Sequence, residues 1–140
     1  MAIKLLVPEE HSDEAAELFG LLALPSPPEI GAPDLLYIEC ANVLRSRVKR
    51  RLMASATARE ALEALRALPI ETISAADDIR EALALALEHD LSAYDACYVR
   101  LAIRLRAPLV TADRKLLVAL RKAAVRALWL GDAPGRRPSS

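Results

Sequence analysis

Residues 91–113 read Leu91-Ser92-Ala93-Tyr94-Asp95-Ala96-Cys97-Tyr98-Val99-Arg100-Leu101-Ala102-Ile103-Arg104-Leu105-Arg106-Ala107-Pro108-Leu109-Val110-Thr111-Ala112-Asp113, and they decide the fold. Ser92 is placed to cap a helix that runs to about Arg106. That helix is apolar on nearly every side, which predicts a central, well-covered element. Leu109-Val110-Thr111 then reads as a short buried strand. A covered helix feeding such a strand belongs to an α/β domain with a parallel sheet. Ligands of these sheets gather at the carboxyl ends of the strands, where Asp113 sits.

The pattern continues in both directions. Downstream, Arg114 to Lys122 predicts a helix and Val125 to Leu130 a final strand. Upstream, Ala76 to Glu88 is helical, Ile70 to Ser74 is a strand, and Pro69 breaks a helix that Ser55 caps. Asp34 opens a long helix to about Arg50 with the core stripe Leu36, Cys40, Val43 and Leu44. Pro25, Pro27 and Pro28 make a loop, followed by a short strand over Glu29 to Ala32. Ser12 caps a helix to about Leu22, and Ala2 to Leu6 is a short apolar stretch stopped by Pro8. Residues 1–130 form one domain on this reading, and residues 131–140, rich in Gly, Pro, Arg and Ser, form a loose tail.

The chain has 140 residues, 54% hydrophobic and 27% charged, which suits one soluble domain with a single core. No apolar run is long enough to span a bilayer, and the N-terminus lacks the features of a secretory signal, so a cytoplasmic location is expected. Cys40 and Cys97 lie in helical apolar patterns and read as buried reduced thiols. His11 and His89 lack metal-ligand spacing, which argues against zinc. The net charge of zero hides an uneven distribution: residues 97–140 carry ten basic residues against two acids, and Arg45, Arg47, Lys49, Arg50 and Arg51 cluster. Such patches either steer a polyanion or are solvated helix faces.

Three acids interrupt apolar stretches: Glu39, Asp95 and Asp113. Each has a bland alternative to weigh. Ser92-Ala93-Tyr94-Asp95 fits a capping box, and Asp113 is placed to cap the helix that starts at Arg114. Glu39 is mid-helix beside the buried stripe with no basic residue one turn away. Three unpaired carboxylates converging on one place would repel unless a cation sat among them, which points to a hard metal ion and phosphodiester chemistry.

The words around these acids carry a family resemblance. Ala32-Pro33-Asp34-Leu35-Leu36-Tyr37-Ile38-Glu39-Cys40-Ala41-Asn42-Val43-Leu44 resembles the second acidic motif of PIN-domain nucleases. Leu91-Ser92-Ala93-Tyr94-Asp95-Ala96 resembles their third motif, and Leu109-Val110-Thr111-Ala112-Asp113 their fourth. Within the family, the short single-domain form resembles VapC-type toxins of toxin–antitoxin pairs. The resemblance implies a three-layer α/β domain with helices flanking a central parallel sheet, and a ribonuclease dependent on Mg²⁺ or Mn²⁺. It implies that Glu39, Asp95 and Asp113 bind the metal, that Thr111 and Ser92 position groups around it, and that Asn42 supports Glu39. It further implies an RNA substrate, a small antitoxin partner and a homodimer.

One family feature is missing. PIN domains begin with a central strand that ends in a metal-binding Asp, whereas Met1-Ala2-Ile3-Lys4-Leu5-Leu6-Val7-Pro8-Glu9-Glu10-His11 looks like the helix that follows that strand. A start codon assigned too far downstream, or a genuine loss, would each explain this. The first is preferred because losing a central strand conflicts with an otherwise intact pattern. The chain as it stands is expected to cleave RNA weakly or not at all. The alternative function is a catalytically inactive PIN-like domain that binds an antitoxin or RNA. A nucleotide-binding domain is disfavoured by the absence of a Gly-rich phosphate loop, and a helix-turn-helix regulator by Glu39 beside a buried face.

Overall fold

The computed structural model describes residues 12–123 and 125–132. The apolar stretch Ala2 to Leu6, the look-alike first helix and most of the C-terminal tail lie outside these residues. The described elements are α1 (Ser12–Gly20), β1 (Ile30–Pro33), α2 (Leu35–Lys49), α3 (Ser55–Arg66), β2 (Ile70–Ile73), α4 (Ile79–His89), α5 (Ala93–Leu105), β3 (Leu109–Thr111), α6 (Arg114–Ala119) and β4 (Ala127–Trp129). Single 3₁₀ turns follow α1 and α6, and another precedes α4 over Ala75–Asp78. This is a mixed α/β domain with parallel strands flanked by helices. No helix among the described residues is long and apolar enough to cross a membrane.

The strands are parallel, as the alternating pattern predicts, and among the described residues they form two pairs. β1 pairs with β2 in the register Ile30↔Ile70 to Pro33↔Ile73, and β3 pairs with β4 in the register Leu109↔Ala127 to Thr111↔Trp129. No described strand pairs with the other edge of β1 or β3. The Asp34 amide donates to the Ile73 carbonyl at 2.9 Å, and the Leu109 amide donates to the Arg126 carbonyl at 2.9 Å. Backbone groups alternate in direction along a strand. The backbone groups of Gly31 and the carbonyl of Pro33 therefore point to the free side of β1. Those of Val110 point to the free side of β3.

The core divides along the same line. Phe19, Ala32, Leu36, Cys40 and Leu65 pack around the β1–β2 pair, whereas Val99, Ala102, Leu109, Leu116 and Leu120 pack around the β3–β4 pair. A third cluster, Ala82, Ala86, Ala96 and Cys97, lies between α4 and α5 and touches Leu35 of α2. A domain of this size ordinarily has one contiguous core. Helix α5 is the common element, packing against both β1 and β3. Its end comes so close to β1 that a Cβ on Gly31 would lie 2.8 Å from Leu105 Cδ1, so a glycine fits there.

Several caps differ from the sequence expectation. Asp34 stands at the N-cap position of α2 without capping it. Its Oδ1 instead accepts the Ala75 amide at 3.0 Å and pins the turn after β2. Ser55 is the first residue of α3, and Ala54 holds the cap position without a side-chain hydrogen bond. Helix α4 starts at Ile79 because the acidic stretch before it adopts a 3₁₀ turn. In α2, Leu36, Cys40 and Leu44 are buried as expected, and Val43 is only half-buried.

Candidate active site

Glu39 flanks the buried stripe of α2, and this explains its half-buried position. Leu36 and Cys40 turn the helix into the core, so the residue beside them meets α5. There the Tyr98 hydroxyl donates to Glu39 Oε2 at 2.7 Å. Tyr98 lies one helical turn beyond Asp95 and shares its side of α5. Burial first, then the hydrogen bond to Glu39 and its charge, with Cys40 and Asp95 adding to them, push the Tyr98 phenol far above its usual range. The phenol thus stays a donor, and it stands within the fields of both acids. Sequence reasoning missed Tyr98; its spacing from Asp95 was the available signal.

Asp95 is held by its own helix start. Its amide donates to Ser92 Oγ at 3.0 Å, and the Ser92 hydroxyl donates to Asp95 Oδ2 at 2.7 Å. Ser92 therefore caps α5, but the Asp95 carboxylate returns to the Ser92 hydroxyl and not to its backbone N–H, so the capping box is only half formed; among the described residues Oδ1 has no hydrogen bond. The neighbouring Cys97 thiol is raised by burial, then by the charges of Asp34 and Glu39. Cys40 is likewise raised, mainly by burial and also by Glu39. Both cysteines are free and buried.

Asp113 stands at the carboxyl end of β3. The buried Thr111 accepts the Asp113 amide on Oγ1 at 3.0 Å, which fixes the turn out of the strand. Asp113 Oδ1 accepts the Lys115 and Leu116 amides at 2.8 and 3.2 Å, so this acid does cap α6. Its Oδ2 has no hydrogen-bond partner among the described residues. Asn42 is exposed, and no hydrogen bond joins it to Glu39.

Glu39 thus bonds Tyr98 on α5, one helical turn from Asp95, whereas Asp113 belongs to the other strand pair. Among the described residues, no group of three His, Cys, Asp or Glu side chains is close enough to hold a metal ion. The described residues alone do not fit a multi-carboxylate metal site. A small cavity lies against Pro33, Ala75, Asp78 and Cys97, and none of the three acids lines it.

The sequence profile of the PIN domain matches residues 1–122. The chain belongs to the PIN domain family. A curated relative, Ribonuclease VapC3 of Pyrobaculum aerophilum, is 37% identical over 116 residues, covering 80% of this chain and 83% of that protein. PIN nucleases are generally metal-dependent. In this PIN domain one of the acids lies on α2, one at the start of α5 and one directly after β3.

Proposed function

We propose that this PIN domain is a VapC-like endoribonuclease, the toxin of a toxin–antitoxin pair, whose activity is impaired in the chain as given. The observation that carries the reading is the Tyr98–Glu39 hydrogen bond, which sets Glu39 of α2 against α5 one helical turn from Asp95. The relative's ribonuclease activity supports the reaction class. Glu39, Asp95 and Asp113 are the acidic residues of the proposed site, and Mg²⁺ or Mn²⁺ is the proposed cofactor. Ser92 fixes Asp95, Thr111 fixes the backbone at Asp113, Tyr98 holds Glu39, and Asn42 stands at the rim. The substrate is an RNA phosphodiester. Because the described acids do not form a complete cage, no catalytic step is assigned to the ion.

Among the described residues one edge of β1 and one edge of β3 lack a strand partner, which suggests what completes the site. A strand between them would satisfy the backbone groups of Gly31, Pro33 and Val110 and fuse the two pairs. An acid at its carboxyl end would join Glu39, Asp95 and Asp113. The further partners of this reading are a small antitoxin and a second copy of the chain. Ile79, Leu83 and Leu87 recur every fourth residue and are exposed on α4, an apolar face suited to such a contact.

A second reading, a catalytically inactive PIN-like domain that binds an antitoxin or RNA, is favoured by the incomplete acid cluster. Cleavage of labelled RNA separates the two. A chain carrying an added upstream apolar strand that ends in Asp should cut RNA with Mg²⁺ or Mn²⁺, and Asp95→Asn in that background should abolish the activity. Failure of the extended chain to cut any RNA with either ion would favour the binding domain.

A further inference from the structure

Arg114 and Trp129 form a pair that the proposed chemistry leaves unused. Arg114 is the first residue of α6, directly after Asp113, and Trp129 ends β4 opposite Thr111. The guanidinium carbon lies 4.5 Å from the indole centroid. Both therefore stand at the carboxyl ends of the β3–β4 pair, on the side where Asp113 leaves the strand. Arg114 is exposed, and no described carboxylate lies within salt-bridge distance of it.

We infer that Arg114, stacked on Trp129, grips a phosphate of single-stranded RNA beside Asp113; this rests on the ribonuclease reading. Stacking occupies one face of the guanidinium and leaves its in-plane N–H donors unspent. Those donors form the fork that matches phosphate oxygens. The indole also holds a long side chain in place before the ligand arrives, which lowers the ordering cost on binding. The anion that suits this position is a backbone phosphate of a strand passing Asp113. The basic C-terminal third adds a field of the same sign, since residues 97–140 hold ten basic residues against two acids.

Trp129 is the chain's single tryptophan, so the protein's tryptophan emission reports on the surroundings of this one ring. The full chain is titrated with a short single-stranded RNA in EDTA, which removes cleavage from the readout, at several salt concentrations. Wild type should change its tryptophan emission on binding. Arg114→Ala and Arg114→Met should weaken binding about tenfold, and should flatten the slope of log K against log salt by about 0.7. Arg114→Lys should recover part of the affinity. Thermal unfolding of each variant separates a lost contact from a lost fold, and the salt slope does not respond to packing. Unchanged affinity and slope in folded Arg114→Ala, with wild type binding RNA, overturns the inference and leaves the nuclease reading standing. Failure of wild type to bind RNA at all overturns both.

Discussion

Replacing Tyr98 with Phe removes one hydroxyl and tests how the helices of the site are held. The hydroxyl donates to Glu39 Oε2 at 2.7 Å across half-buried surface. Hydrogen bonds to charged groups contribute about 1.5–3 kcal/mol, and the remaining carboxylate keeps its desolvation penalty when the donor goes. Partial solvent access at this site places the expected loss near the middle, about 2 kcal/mol. With a urea dependence of about 1–3 kcal/mol per molar, the unfolding midpoint should fall by roughly 1 M. Glu39→Gln retains an acceptor oxygen and should cost less. The double mutant should be more stable than the sum of the two losses predicts, because both changes remove the same contact. The pH dependence follows from the raised phenol. An unfolded tyrosine ionises near pH 10, as a general value, whereas burial and Glu39 keep folded Tyr98 protonated beyond that. The stability from this group is complete below pH ~10 and is lost as pH rises above it. Tyr98→Phe should remove that part of the alkaline loss. A loss under about 0.5 kcal/mol, or strict additivity with Glu39→Gln, would refute the argument.

Two further outcomes follow from single side chains and strand edges. Asp113→Ala should cost about 1 kcal/mol by removing the α6 cap, while Asp113→Asn keeps an acceptor and should cost less, as urea unfolding would register. The amides of Gly31 and Val110, which point away from their paired strands, should exchange with deuterium faster than those of Ala32 and Thr111; equal protection would mean that the free edges are covered.

Much of the element order was legible because its signals are local. The strand Leu109–Thr111, the break at Pro69 and the Ser92 cap on the Asp95 amide depend on residues a few positions apart, and all appear in the structure. Caps were less legible where a distant partner intervened. Asp34 has the right chemistry to cap α2, yet the Ala75 amide, brought in by β2, takes its oxygen. The end of α5 carries no glycine. Arg106 adopts the left-handed conformation at φ 50° instead, an arrangement no motif predicts. The acids were legible as types but not as a constellation. Which carboxylates meet depends on how the strand pairs sit, and Tyr98 reaches Glu39 only through the packing of α5 on α2.

The central claim is that Glu39, Asp95 and Asp113 serve one divalent ion once a strand joins the two pairs. Mn²⁺ titration followed by electron paramagnetic resonance, on the chain extended by an apolar strand ending in Asp, tests it directly. One bound Mn²⁺ is expected, weakened in each of Glu39→Gln, Asp95→Asn and Asp113→Asn, with the unextended chain binding weakly. Undiminished Mn²⁺ binding in all three variants would contradict the claim.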